Sequence, residues 1–323
     1  VSQNPETDLA TTVSAFSRQV TSNIEKVIVG KVDAIKLLLI GLLSRGHLLI
    51  EDVPGVGKTM LARSLARSVG CSFRRVQFTP DMLPSDLTGV YVFNQATREF
   101  EFRPGPLMTQ IVLTDEINRA TPKTQAALLE AMGEGQITVD GVTHTLPTPF
   151  MVLATQNPIE YEGTFPLPEG QLDRFLMRIR LGYADPEDEI RILDDQQYQH
   201  PLESLDQAAT VEQLIEAQEL LKTVHVSAPV KKYIVAIVGA VRQHPDVIVG
   251  PSPRASLSLF RTAQARAAIE AREYVLPDDI KALLESVVAH RFILSPESRM
   301  KKQSRSEILQ STLRSIPVPI SEG

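Results

Sequence analysis

Tryptophan is missing from this chain of 323 residues, and cysteine occurs once, as Cys71. One thiol cannot close an internal disulfide, which excludes a disulfide-stapled scaffold and fits a reducing compartment. Basic residues are outnumbered: 33 Lys and Arg stand against 39 Asp and Glu, a net charge of −6. With a pI near 5.6, the chain lacks the charge of a general nucleic-acid binder. Long apolar runs are lacking too. The longest in the early chain, Leu37 to Leu43, falls far short of the ~18 residues of a membrane span. The opening Val1-Ser2-Gln3-Asn4-Pro5-Glu6 has none of the basic, apolar and small-residue order of a signal peptide, so a cytoplasmic protein is expected. No internal repeat or low-complexity segment occurs.

What is present is ordinary globular composition, 43% apolar and 22% charged, over a length that suits about two domains at ~150 residues each. Leu9, Val13, Phe16, Val20, Ile24 and Val27 recur at helical spacing and predict one apolar stripe. A second helix is expected over Asp33 to Ser44. Buried strands are expected at His47 to Glu51, Phe73 to Phe78, Leu107 to Leu113, Phe150 to Thr155 and Ile179 to Leu181. Two hairpins are expected. One joins Val90–Phe93 to Glu99–Phe102, and the other joins Ile137–Val139 to Thr143–Leu146 through Asp140-Gly141. Beyond Pro186 the patterns are almost all helical: Glu187 to Tyr198, Val211 to Val224, Ala228 to Arg242, Ser256 to Arg272 and Pro277 to His290. Strands alternating with helices, then helices alone, predict an α/β domain over residues 1–183 and a smaller helical domain over 184–323.

The segment Pro54-Gly55-Val56-Gly57-Lys58-Thr59 sits between an expected strand and an expected helix. That is the context of a phosphate-binding loop. Glycines let successive backbone N–H groups turn toward one anion, and the helix N-terminus adds its dipole. Lys58 supplies a point charge for the β and γ phosphates, and the Thr59 hydroxyl is placed to ligate Mg²⁺. One position departs from the usual pattern: Asp52 stands where the first glycine is expected. A carboxylate there would repel phosphate unless it points away.

Ile111-Val112-Leu113-Thr114-Asp115-Glu116 is an apolar strand ending in two acids, at the end where ligands bind in an open α/β sheet. Asp115 is the expected partner of Thr59 for Mg²⁺, and Glu116 the expected residue to polarise the attacking water. Consecutive side chains on a strand point to opposite faces, which suits two different roles. Met151 to Asn157 is a second buried strand ending in amides. If it neighbours the Asp115 strand, Asn157 sits beside Glu116.

Together these segments resemble an AAA+ ATPase: Walker A through Thr59, Walker B at Asp115-Glu116, and sensor 1 at Asn157. Leu172-Asp173-Arg174-Phe175 matches the arginine-finger segment, Ser252-Pro253-Arg254-Ala255 matches sensor 2, and Val27-Ile28-Val29-Gly30 matches the stretch that lines the adenine pocket. The runs Phe78 to Gly89, Glu116 to Ala120, Gln156-Asn157-Pro158 and Gly170 to Phe175 are more specific and resemble the MoxR family.

That resemblance implies a P-loop core with a parallel sheet flanked by helices, followed by an all-α lid. It implies ATP and ADP as ligands, held by Val29, Gly30, Pro54, Gly55, Val56, Gly57, Lys58, Thr59, Met60, Asp115 and Arg254. Mg²⁺ falls to Thr59 and Asp115, and hydrolysis to Lys58, Glu116, Asn157 and Arg174. The family usually forms rings, mostly hexamers. Arg174 then acts on the neighbour's nucleotide, with Arg178 one helical turn away as its rival, while Arg254 acts in cis from the lid. The hairpins resemble inserts that face the pore or ring face, and His144 is read as an ordinary hairpin residue. The implied work is chaperone-like remodelling or maturation, often with a von Willebrand factor A domain protein. Two other readings stay open: a DNA motor of the MCM type, disfavoured by the acid excess, and a nucleotide switch without turnover.

Overall fold

Leu48, Leu49 and Ile50 are consecutive apolar residues without polar alternation, the pattern of a strand covered on both faces. In the structure, a computed structural model describing residues 9–157, 164–196 and 201–319, all three are buried. Helices α1 (Leu9–Ile24) and α2 (Val32–Leu43) lead into β1 (Leu48–Glu51). The chain continues through α3 (Lys58–Ser68), β2 (Phe73–Gln77), α4 (Pro84–Thr88), β3 (Gly89–Asn94), β4 (Glu99–Pro104), β5 (Ile111–Asp115) and α5 (Pro122–Glu134). Then come β6 (Gln136–Val139), β7 (Val142–Thr145), β8 (Met151–Gln156), α6 (Glu169–Leu172) and β9 (Met177–Ile179).

Five strands form one sheet in the order β2-β5-β8-β1-β9, and every pairing in it is parallel. The register is tight across the middle, with Leu153 of β8 beside Leu113 of β5 and Leu48 of β1. One face is covered by α1, α2 and α3, the other by α4, α5 and the β6–β7 hairpin. The expected neighbouring of the Asp115 and Asn157 strands is therefore observed. Both hairpins form as expected, and His144 has a larger part than its sequence context implied. Its ring stacks on Phe102 at 4.0 Å and its Nε2 lies 3.2 Å from the Tyr91 hydroxyl, so it joins the two hairpins.

After the sheet come α7 (Pro186–Gln196), α8 (Val211–Leu220), α9 (Ala228–Gln243), β10 (Val247–Val249), α10 (Pro253–Ile269), α11 (Pro277–Val288), β11 (Ile293–Leu294), α12 (Pro296–Met300) and α13 (Arg305–Ser315). Among the described residues this region is helical apart from a short antiparallel pair, β10 with β11, whose few residues offer no alternation to read, and an isolated bridge between His225 and Tyr274. Tyr198, the expected end of α7, lies outside the described residues, as does Pro158. Helix α1 joins the two regions by packing on α3, α8 and α10, with Val13, Val20 and Ile24 fully buried. Each such side chain is worth roughly 1.5–3 kcal/mol when buried. Among the described residues no helix is long and apolar enough to cross a membrane.

His47, just before β1, links two elements from a half-buried position. Its Nδ1 accepts the N–H of Val152 at 3.0 Å, and its Nε2 lies 3.0 Å from the Met132 carbonyl, to which it donates. This uses the neutral ring, and burial pushes its pKa down to about 4. The unfolded ring takes up its proton near the ordinary value of 6.5, well before the folded one. Stability is therefore expected to be full above pH 6.5 and to fall as the pH drops toward 4, by about 2 kcal/mol at pH 5 from this residue. His290, buried and also held low, adds in the same direction. Urea unfolding at pH 7 and pH 5 checks this: His47→Gln should show a shallower pH dependence, and an unchanged one would refute the assignment.

Candidate nucleotide site

The turn from β1 into α3 depends on two glycines. Gly55 and Gly57 have φ of +87° and +91°, and open space lies where a Cβ would project, so the backbone angle rather than crowding requires glycine. Gly57 is the N-cap of α3 and offers no side-chain acceptor, so the first-turn N–H groups of α3 remain for a ligand. Lys58 folds back on the loop, its Nζ donating to the carbonyls of Asp52 at 2.7 Å and Val53 at 3.2 Å.

Asp52 points away from that loop. Its Oδ2 accepts the N–H groups of Leu181 and Gly182, both at 2.7 Å, and its Oδ1 accepts the Val53 N–H at 2.9 Å. The electrostatic objection raised by its position is removed, because the charge is spent on three amides.

Strand β5 ends at Asp115, and Glu116 follows with φ +56°, ψ +53°. That left-handed turn costs a non-glycine residue about 1 kcal/mol. It also overturns the expectation that the two acids face opposite ways: both line one cavity of about 220 Å³ with Lys58, Thr59 and Asn157. Asp115 is buried, takes the Arg75 Nε at 2.6 Å and accepts the Thr155 hydroxyl at 3.2 Å. The same hydroxyl accepts the Glu116 N–H at 2.9 Å, while the Glu116 carboxylate holds Gln77 at 2.9 Å and Arg119 at 3.1 Å. Arg75, Gln77 and Thr155 were not read from the sequence. They sit at or near the ends of β2 and β8, and only the strand order brings those ends to the cavity.

The donor set fits Mg²⁺. A Thr59 hydroxyl and a buried Asp115 carboxylate are hard oxygen donors on one cavity, and Mg²⁺ needs only one or two protein ligands when phosphates supply others.

A second cavity, of about 440 Å³, adjoins the loop and is lined by Val27, Ile28, Val29, Val56, Met60 and Tyr183 among others. Its apolar walls suit a base. Gly30 does not line it; a Cβ there would collide with the Asp188 carboxylate, so this glycine admits α7 instead.

The three arginines lie elsewhere. Arg174 is exposed, and its guanidinium donates to the Leu129 carbonyl. Arg178 is on β9 rather than a helical turn away, and is bound to Glu51 at 3.0 Å. Arg254 shares a cavity of about 380 Å³ with Arg174, near Gly46, His47 and Leu176. Those residues precede β1 and β9, so this cavity is at the amino end of the parallel sheet, opposite the phosphate loop. Arg254 therefore does not reach the phosphate cavity of its own chain, contrary to the cis expectation. Asp173 anchors this corner by accepting from Ser252 at 2.8 Å and from the buried Arg291 at 3.2 Å.

Comparison with known proteins agrees with this architecture. The profile of the ATPase family associated with various cellular activities (AAA) matches residues 47–177, and that of the AAA lid domain matches 239–312. Chaperone MoxR1 of Mycobacterium tuberculosis is 38% identical over 96% of this chain and 84% of its own. Protein MoxR of Paracoccus denitrificans is 32% identical over 94% and 96%. The chain belongs to the MoxR family of AAA+ ATPases. The uncharacterized protein YeaC of Bacillus subtilis is 50% identical over 93% of this chain and 94% of its own. The crystal structure of a candidate ATPase from Cytophaga hutchinsonii superposes with a TM-score of 0.90 at 37% identity, covering 97% of each chain.

In this MoxR-family chain the Asp173–Arg291 pair joins core to lid from a buried position. Asp173→Ala should lower stability by about 3 kcal/mol, because it leaves the buried Arg291 guanidinium without its counter-charge, on the neutral Phe175 and Leu176 carbonyls. Arg174→Ala, at an exposed neighbour, should cost no more than about 1 kcal/mol. Denaturant unfolding of both variants checks the contrast, and equal losses would refute it.

Proposed function

We propose that this chain binds MgATP across the two adjoining cavities and hydrolyses it. The observation that carries the reading is convergence. Lys58, Thr59, Asp115, Glu116 and Asn157, from three separate stretches of sequence, line one cavity beside an apolar one. Lys58 and the first-turn amides of α3 take the β and γ phosphates. Thr59 and Asp115 hold Mg²⁺, which when bound neutralises phosphate charge. Glu116 orients and deprotonates the attacking water with help from Asn157, and its held geometry lowers the cost of reaching the transition state.

The active form is a ring, a hexamer by family habit. The exposure of Arg174 supports its action on a neighbour's γ-phosphate, where an arginine supplied in trans can be worth ~10³–10⁵ in rate. Arg254, sharing that corner, is read as acting on the same neighbour, and Arg178, bound to Glu51, is not the finger. ATP turnover drives chaperone-like remodelling or maturation of other proteins, a reading supported by the chaperone relative. A von Willebrand factor A domain protein is the proposed partner class, and the cytoplasm the proposed compartment, in keeping with the buried Cys71.

Lys58→Ala should abolish ATP binding, while Glu116→Gln should retain ATP and stall turnover. Equilibrium binding beside steady-state hydrolysis checks both, and normal turnover by Glu116→Gln would show that another residue activates the water. Mixing Arg174→Ala with Lys58→Ala protein should restore part of the activity, since one supplies the finger and the other the phosphate loop. No recovery, with mixed assemblies shown by mass measurement, would refute action in trans.

A further inference from the structure

Asp52 stands where a phosphate loop ordinarily has its first glycine, and its two ends hold different things. Its backbone carbonyl holds the Lys58 ammonium at 2.7 Å, on the phosphate side. Its buried carboxylate holds the N–H groups of Leu181 and Gly182, both at 2.7 Å, on the base side. These two amides follow β9, an edge strand of the sheet, and among the described residues have no ladder partner beyond it. Gly182 turns there with φ +66°, and Gly182 and Tyr183 form one wall of the apolar cavity. That wall has a second tie, from the Lys31 ammonium to the Tyr183 carbonyl at 2.6 Å. The opposite wall includes Gly55 and Gly57 of the phosphate loop itself.

We propose that Asp52 is a positioning residue that sets the base-side wall at Gly182 and Tyr183 against the phosphate loop. This chain then binds the nucleoside half of its nucleotide through a carboxylate that a glycine at that position would not supply. The inference rests on the reading that the two cavities hold a nucleotide. The physical argument is one of charge-assisted hydrogen bonds. A carboxylate accepting the buried Leu181 N–H and the half-buried Gly182 N–H is a strong, directional tie, and removing it leaves donors that must find water or shift. The same carboxylate also accepts the Val53 N–H at 2.9 Å at the start of the loop, but Gly55 and Gly57 set the turn and Lys58 is held by main-chain carbonyls, none of which the carboxylate supplies.

Full-length wild type, Asp52→Gly and Asp52→Asn are to be titrated with MgATP and, separately, with Mg-tripolyphosphate, which lacks the nucleoside. Asp52→Gly should weaken MgATP by about tenfold or more while tripolyphosphate changes by no more than about twofold. Asp52→Asn, whose amide oxygen still accepts from Leu181 and Gly182, should fall between. Should the glycine variant fail to fold by thermal unfolding, the asparagine variant carries the same comparison. Equal weakening of both ligands would make Asp52 a phosphate-loop residue and overturn the proposal, as would unchanged affinity for both. If wild type binds neither ligand, the nucleotide reading fails first and takes this one with it.

Discussion

Parallel pairing is the constraint on which the site depends. Strands running in one direction bring their carboxyl ends to one edge, and β8 lies between β5 and β1. The loop after β1, the acids closing β5 and the amide after β8 thus become neighbours although more than a hundred residues separate the first from the last. The register that aligns Leu48, Leu153 and Leu113 in the core is what sets the spacing of the polar ends. Core packing and site geometry are two consequences of one ladder.

At that edge the polar groups satisfy one another. Thr155 bridges the Asp115 carboxylate and the Glu116 amide, Arg75 neutralises Asp115, and Gln77 and Arg119 hold Glu116. Buried carboxylates in a cavity of low dielectric need such partners, since an unpaired one would be costly. The left-handed turn at Glu116 is local strain kept where both acids must face one space.

The seam between core and lid has a different logic at each end. At the carboxyl end of the sheet, Asp52 uses backbone amides to hold the outgoing chain. At the amino end, Asp173 pairs with Arg291, whose burial pulls its guanidinium down to about 10 even beside that carboxylate. Between them α1 supplies apolar contact to both regions. A movement of one region is therefore felt at two polar anchors on opposite ends of the same sheet.

Local pattern determined much of this protein. Short runs such as Leu48 to Ile50 and Ile111 to Leu113, each leading to acidic residues, read as strands covered on both faces, and the helical stripe of α1 was legible from Val13, Phe16, Val20 and Ile24. The phosphate loop was legible because glycine, lysine and threonine have few other reasons to follow a buried strand in that order. Tertiary structure decided what depends on distance between segments. Arg75, Gln77 and Thr155 reach the site because of strand order, which no local pattern encodes. Arg254 falls at the opposite end of the sheet from the phosphate loop because the lid docks through Asp173 and Arg291. The direction of the Asp52 carboxylate was invisible in sequence for the same reason: its partners, Leu181 and Gly182, are brought to it only when β9 pairs with β1.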